Sequence, residues 1–351
     1  MLDGSAGGRR RRGFHGRARG LLNAKQQPVY GALDLGSNNC RLLIALPSHR
    51  GFRVVDAFSR IVKLGEGVGT NGRLLPGAMD RAIEALKICR AKMRRRGVSR
   101  MRGITTAACR RASNCGDFID RVQSETGIVL DIVSPAEEAQ LAVASCEPLI
   151  DRSIPNALVF DIGGGSTEIM WARVDAEGEI TIEDWVSLPC GVITLAERFG
   201  GVHVPPAVYD AMIEEVLTLL RPFEVQNNLR DKLGRGTMQL LGTSGTATTV
   251  AGVYLNLKRY DRREVDGVRL STDDFRRVTA ALTDMTIEER RAQPCVGPDR
   301  ADMVIAGCAI LDAICRLWPF PDFQVADRGL REGLLLDMMR ADGKYPETRV
   351  R

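Results

Sequence analysis

Two segments of this chain share a pattern that could do chemistry. In each, an apolar strand runs into Asp-x-Gly, turns on small residues, and leaves as a second apolar strand. The first is Leu33-Asp34-Leu35-Gly36-Ser37-Asn38-Asn39-Cys40-Arg41-Leu42-Leu43-Ile44; the second is Phe160-Asp161-Ile162-Gly163-Gly164-Gly165-Ser166-Thr167-Glu168-Ile169-Met170-Trp171. Each sets a carboxylate at a strand end beside a turn whose backbone N–H groups can face an anion, and oriented amides of this kind form a phosphate-binding concavity. A carboxylate there repels phosphate unless a cation lies between them. Mg²⁺, which takes few protein carboxylates and keeps several waters, suits that position. Asp34 and Asp161 are therefore candidate metal ligands, with turn capping as the alternative use of an aspartate there. Glu168, just past the second turn, is placed to hold the metal's water shell.

The turns themselves, Gly36-Ser37-Asn38 and Gly163-Gly164-Gly165-Ser166-Thr167, are candidate phosphate contacts. Glycine lets a backbone come close to an anion, and three consecutive glycines would weaken a buried strand pair for no structural return. Two such hairpins suggest two facing lobes that clamp a phosphorylated ligand with Mg²⁺. A second acidic feature is Ser134-Pro135-Ala136-Glu137-Glu138, which reads as a helix start with Pro at its first turn and carboxylates where the dipole favours them. Either glutamate could orient and deprotonate a water for attack on a phosphoanhydride.

The elements that must position these residues repeat. Val29–Gly36 and Cys40–Ala45 read as a hairpin and Phe52–Lys63 as a third strand. A helix is expected over Met79–Arg95, a strand over Met101–Ala107, a helix over Asp117–Glu125, a strand over Ile128–Val133, and a helix from Pro135. The second half follows the same order. Strands are expected at Ala157–Ile162, Glu168–Val174 and Ile180–Ser187, then helices at Val192–Phe199 and Pro206–Phe223 and a strand at Met238–Leu241. The turn Gly242-Thr243-Ser244-Gly245-Thr246 leads into a helix; helices at Thr272–Leu282 and Arg300–Leu317, a strand at Phe323–Ala326 and a helix at Arg328–Arg340 complete the chain. This is a duplicated α/β unit with mixed sheets. Residues 30–141 form lobe I, 142–327 lobe II, and 328–351 a C-terminal helix free to return to lobe I.

Composition narrows the class. Among 351 residues, 44% are apolar and 26% charged, the balance of a soluble globular protein. No apolar run reaches the roughly 18 residues of a membrane span, and no membrane partner is expected. The first 27 residues lack the apolar stretch of a secretory signal, so a cytoplasmic location is expected. Net charge is +5, but residues 1–29 hold +6 of it, leaving the remainder at −1. That Gly/Arg-rich tail reads as disordered. It serves as a solubilising arm or draws in polyanions, and nucleic acid is expected as a partner only through it. Nine cysteines without a CxxC pair, and only three histidines, argue against a zinc or histidine-metal centre. Cys40, Cys89, Cys308 and Cys315 sit in apolar runs and read as small buried hydrophobes.

The duplicated hairpins resemble those of the actin, sugar-kinase and heat-shock-chaperone ATPase superfold, a ribonuclease-H-like pair of lobes around a cleft. Five segments then occur in the order of one family: Asp34-Leu35-Gly36-Ser37-Asn38, Ser134-Pro135-Ala136-Glu137-Glu138-Ala139, Asp161 to Glu168, Gly242 to Thr246, and Leu330-Arg331-Glu332-Gly333. The chain is similar over Ala32–Leu336 to the exopolyphosphatase / guanosine pentaphosphate phosphohydrolase (Ppx/GppA) family. It departs from the pattern at Asn39, where the family more often has a hydroxyl residue.

The resemblance implies a Mg²⁺-dependent phosphohydrolase releasing terminal phosphate from inorganic polyphosphate or guanosine pentaphosphate. It selects Glu138 over Glu137 as general base and aligns Arg110 with a phosphate-binding arginine. It places Gly242, Ser244 and Gly245 at the superfold's nucleotide loop, where a plain helix cap is the alternative, and gives Arg331 and Glu332 a structural part. A homodimer is within what it implies. No P-loop GxxxxGK[ST] is present. The competing classes are a phosphotransferase of the same superfold and a non-catalytic polyphosphate or alarmone-binding regulator, which would have no use for a water-orienting glutamate.

Overall fold

The computed structural model describes residues 27–48 and 51–345; most of the basic tail, residues 1–26, lies outside the described residues. Two mixed sheets carry the fold. The first contains β1 (Tyr30–Leu35), β2 (Asn39–Ser48), β3 (Gly51–Ile61), β4 (Arg100–Thr105) and β5 (Asp131–Ile132), in the order β3-β2-β1-β4-β5. The second contains β6 (Asn156–Ile162), β7 (Thr167–Val174), β8 (Ile180–Leu188), β9 (Met238–Thr243), β10 (Arg269–Ser271) and β11 (Asp322–Ala326), in the order β10-β11-β9-β6-β7-β8. Reading outward from β1 and from β6, the two sheets repeat: an antiparallel hairpin and third strand on one side, parallel strands on the other. The edge strand β10 is the one addition.

β1 and β6 are central strands with helices on both faces, which is why they read as nearly unbroken apolar runs. Three cores result. One packs the helices Pro76–Arg95 and Cys115–Thr126 on the first sheet, with Cys40 and Cys89 inside it. A second, larger one packs the helices Pro206–Asn227, Gly245–Tyr254 and Val304–Leu317 on the other sheet and encloses Cys308 and Cys315. The third lies between the sheets: Ala32 and Leu43 meet Val159 and Met170 through the helices Pro135–Cys146 and Leu330–Ala341. The C-terminal helix packs on β1 and β2 and on the helix Pro135–Cys146, and just past its end Asp342 accepts a hydrogen bond from Tyr30 Oη at 2.8 Å and pairs with Arg100.

Three expectations are corrected here. The division at residue 141 falls inside the continuous helix Pro135–Cys146, which packs on β6, β7, β8 and β9 and on the helix Leu330–Ala341 and so forms part of the junction between the sheets. The strand expected over Ile128–Val133 pairs only at Asp131–Ile132, because β5 is an edge strand that meets β4 at just two positions. The short helices Val68–Asn71, Ala107–Arg111, Leu229–Gly234 and Ile287–Ala292 were not expected; each is at most six residues, too short for an apolar period to register.

Candidate active site

The two Asp-x-Gly turns face one another. A Cβ placed on Gly165 would lie 2.9 Å from Ser37 Oγ, and one on Gly164 3.2 Å from the Asn38 nitrogen. The glycines are therefore required for close approach between the lobes. Each turn is closed by one backbone bond, Gly36 N to Asn39 O and Gly163 N to Ser166 O, both 2.9 Å. The N–H groups of Ser37, Asn38, Gly164 and Gly165 donate to no protein acceptor among the described residues. They border a cavity of about 130 Å³ lined also by Asp34, Asp161, Glu138, Thr106, Thr243 to Thr246 and Gly329. Unpartnered amides so oriented are able to hold an anion, and carboxylates line the same cavity.

Register explains how the carboxylates converge. Asp34 and Asp161 are the fifth residue of β1 and the sixth of β6, at matching distances from their turns. The residue opposite Asp34 on β2 is Arg41; the residue opposite Asp161 on β7 is Glu168. Glu138 arrives from the junction helix, whose start is fixed by Pro135 and by Ser134 Oγ accepting from Glu137 N at 3.1 Å. Thr105 Oγ1 donates to Leu35 O at 2.9 Å and ties the ends of β4 and β1 together.

Burial of three of these acids is close to complete, Asp34 being 9%, Glu138 6% and Glu168 1% exposed, while Asp161 at the cavity edge is half-buried. Burial pushes the Glu138 carboxyl up to about 8, with the negative charges of Glu168 and Asp34 adding to it and Arg110 opposing it. Burial and Glu138 raise Asp161 to about 7. Burial and Asp161 likewise raise Glu168 to about 7, against the hydrogen bonds from Ser166 and Ser187. Asp34 is raised too, by burial, while Arg41 and Arg331 pull it back. Four acids that resist ionisation together form a site short of positive charge.

That shortage bears on Mg²⁺. Asp34 Oδ1 is buried without any hydrogen-bond partner, a cost that a bound cation removes. Among the described residues no three acidic, histidine or cysteine side chains converge into a ready-made cage. A hard cation that binds through one or two carboxylates and retains its waters fits this donor set.

The expected residues sort as follows. Gly36, Ser37, Asn38, Gly163, Gly164, Gly165, Ser166, Ser244 and Gly245 line the cavity with Asp34, Asp161 and Glu138. Ser244 also caps the helix Gly245–Tyr254, accepting from Ala247 N at 3.3 Å. Arg110 is clasped by protein groups: its Nη1 donates to Glu138 Oε2 at 2.6 Å and to Val133 O at 2.9 Å. Glu168 lies one strand back, its Oε1 accepting from Ser187 Oγ at 2.8 Å.

Two phosphate contacts are corrected. Thr167 is fully buried, with its hydroxyl donating to Cys190 O at 2.7 Å. Gly242 does not line the cavity; it is small because a Cβ there would fall 2.2 Å from the Phe160 ring.

The residues that sequence reasoning missed are basic. A second cavity of about 690 Å³ adjoins the first, sharing Asn39, Arg41, Ser244, Gly245, Arg300 and Arg328, and Arg60 and Arg331 also line it. Arg328 is paired with Asp266 at 2.9 Å and Arg300 donates to Thr249 Oγ1 at 3.0 Å. Arg41 and Arg331 have no hydrogen-bond or ion-pair partner among the described residues within contact distance, and burial and mutual repulsion lower Arg331. Arg41 was within reach, since it follows Asp34 at the interval by which Glu168 follows Asp161.

Facing glycine turns between duplicated α/β lobes, with a buried acid cluster opening into an arginine-lined channel, define a phosphate-handling protein of the actin-like ATPase fold. Residues 44–342 match the Ppx/GppA phosphatase family, and the chain belongs to it. Exopolyphosphatase 2 of Mycobacterium tuberculosis is 29% identical over 298 residues, 81% of this chain and 89% of that protein. The guanosine-5'-triphosphate,3'-diphosphate pyrophosphatase of Photobacterium profundum is 26% identical over 324 residues, 89% of this chain and 59% of that one. Among solved structures, an exopolyphosphatase from Cytophaga hutchinsonii superimposes with a TM-score of 0.80 at 27% identity, covering 89% of this chain and 98% of that one. The Aquifex aeolicus Ppx/GppA family member gives 0.72 at 26%, covering 90% and 99%. No helix among the described residues is long and apolar enough to cross a membrane.

Proposed function

We propose that this protein is a phosphohydrolase that removes the terminal phosphate of inorganic polyphosphate or of guanosine pentaphosphate by in-line attack of water. The observation that carries this reading is the meeting of the two unpartnered amide turns over a buried acid cluster that includes Glu138. The terminal phosphoryl group sits between the turns and takes its hydrogen bonds from the Ser37, Asn38, Gly164 and Gly165 amides. The preceding phosphates run into the adjoining cavity, where Arg41, Arg300 and Arg331 supply positive charge.

Glu138 orients a water and accepts its proton as the water oxygen bonds to the terminal phosphorus. The anhydride P–O bond breaks, and the shortened chain leaves with that oxygen. Asp34, with Asp161 and Glu168 behind it, would hold Mg²⁺, which supplies charge neutralisation to the phosphoryl oxygens. Arg110, already against Glu138, keeps the base oriented and offsets part of the cluster's negative charge.

The test is phosphate release with Mg²⁺ from long-chain polyphosphate, guanosine pentaphosphate and ATP, with no acceptor added. Release from either of the first two supports the reading. Absence of release from both, or dependence on an added acceptor alcohol, overturns it in favour of a binder or a phosphotransferase.

A further inference from the structure

The two cavities do not have equivalent ends. They join through Arg41, Arg300 and their shared neighbours, whereas Val192, Met303 and Thr106 line the smaller one alone. Beside that unshared wall, two contacts cross between the lobes. Lys63 Nζ lies 3.3 Å from Asp302 Oδ2, next in sequence to Met303. The Gly67 amide donates at 3.1 Å to Glu197 Oε1, on the helix Val192–Phe199 that starts at Val192. The loop bearing these contacts is itself fastened to the first phosphate turn: Val62 N and Lys63 N both donate to Asn38 O, at 2.8 and 3.0 Å, and Gly65 N donates to Ser37 O at 2.8 Å. Turn, loop and interlobe contacts are therefore tied together by a continuous set of hydrogen bonds. At the turns themselves the lobes already touch, Gly165 against Ser37 and Gly164 against Asn38.

Resting on the reading above, we propose that the Lys63–Asp302 and Gly67–Glu197 contacts make the cleft blind beyond the phosphate turns and thereby restrict attack to a chain's terminal phosphate. A polyphosphate enters through the arginine-lined cavity and stops where the lobes meet. An internal phosphorus reaches Glu138 only if the chain continues past the turns, and the latch leaves it no exit. Lys63, Asp302 and Glu197 line neither cavity, so they determine which phosphorus is presented while taking no part in the chemistry. The Gly67–Glu197 bond is exposed and the Lys63–Asp302 pair half-buried, and none of these residues belongs to a hydrophobic core, so removing them leaves the cores intact.

The experiment compares polyphosphate of defined length with free ends against the same chain with both ends blocked as alkyl phosphate esters. The wild-type protein and a Lys63→Asn/Glu197→Ala double variant are each incubated with Mg²⁺, and products are read by gel and ³¹P NMR. Asparagine is chosen because Lys63 has φ +48°, a conformation it tolerates. The expected result is wild-type cleavage of free-ended chains only. The variant should cut blocked chains into shorter blocked pieces at least about tenfold faster than wild type, the order of discrimination a shaped site commonly provides. Cleavage of blocked chains by the wild type overturns the proposal. So does a variant that shortens free-ended chains and leaves blocked ones whole. If the double variant is inactive on both, Lys63→Asn alone carries the same expectation. Failure of the wild type on free-ended polyphosphate and guanosine pentaphosphate alike removes the phosphohydrolase reading and the latch with it, an outcome distinct from failure of the latch alone.

Discussion

Replacing Glu138 with glutamine should make the protein both slower and more stable, and the two effects have one cause. Glutamine keeps the size of the side chain and an oxygen to accept from Arg110 Nη1, which lies 2.6 Å from Glu138 Oε2. It cannot take a proton from water, and loss of a general base typically costs 10²–10⁴ in rate. Turnover should fall by about that factor with KM for polyphosphate changed by less than about threefold, since no binding contact is removed.

The stability effect follows from the sign of the shift. Glu138 is raised in the folded protein from 4.5 to about 8 by burial first and by Glu168 second. A carboxyl raised on folding contributes stability below its unfolded value and loses it as pH rises from about 4.5 through about 8. At pH 7 the unfolded chain ionises the group freely while the folded protein resists, a cost of about 1.4 kcal/mol for each pH step above 4.5, on the order of 3 kcal/mol in all. A neutral glutamine escapes that cost, and coupling within the acid cluster reduces the gain to about 1–3 kcal/mol. Urea unfolding in EDTA at pH 7 and pH 5 measures it: the variant should be more stable at pH 7, less so at pH 5, and the gap should narrow when Mg²⁺ is added. Turnover within threefold of wild type removes Glu138 from the chemistry. A variant less stable than wild type at pH 7 in EDTA refutes the electrostatic account.

Asp34→Asn removes a charge from the proposed metal position, so the Mg²⁺ concentration giving half-maximal phosphate release should rise by about tenfold or more; an unchanged Mg²⁺ dependence would take Asp34 out of that role. Gly165→Ala puts a Cβ 2.9 Å from Ser37 Oγ; because the clash lies at the cleft, phosphate release should drop by more than about tenfold while unfolding shifts by only about 1 kcal/mol. Asp56 is held below the usual carboxylate range by Lys92 first and by Arg96 and Arg95 after it, so its contribution is present above about 4 and is lost as pH falls further. Asp56→Asn should therefore cost about 1 kcal/mol at pH 7 and clearly less, though not nothing, near pH 2, as read from urea unfolding at the two values.

What the sequence made legible was local. Asp34 and Asp161 could be placed because a strand, a tight turn and a return strand are written within a dozen residues. Glu138 could be placed because Ser134-Pro135 announces a helix start three to four residues before it. The duplication was readable for the same reason, since each half repeats the hairpin. What escaped depends on which elements lie side by side. Arg331 is brought to the second cavity by a helix that crosses back to lobe I, and Arg300 comes from a loop of lobe II, so neither position follows from spacing. Gly242 was assigned to a phosphate loop through the resemblance to the superfold's nucleotide loop; the space it leaves is filled by Phe160 from the neighbouring strand. The boundary near residue 141 failed for a related reason. A helix sandwiched between the second sheet and the helix Leu330–Ala341 has no solvent-facing break to mark where one lobe ends.

The unequal residues opposite the two aspartates give the duplicated hairpin its direction. Had the halves remained alike, both turns would present an aspartate facing the same kind of partner, and a phosphate chain could enter from either side. Instead Asp34 faces Arg41 and Asp161 faces Glu168. A polyanion is drawn to the Arg41 side, where Arg300 and Arg331 extend the positive charge, and is repelled from the Glu168 side, where Glu138 and Asp161 concentrate the negative. On the proposed reading, water and a divalent cation lie toward the acids, with Asp34 at their edge, for the same electrostatic reason. On the proposed reading, one charge reversal between otherwise equivalent positions therefore sets the substrate's polarity, with its chain trailing toward the arginines and its end toward the base.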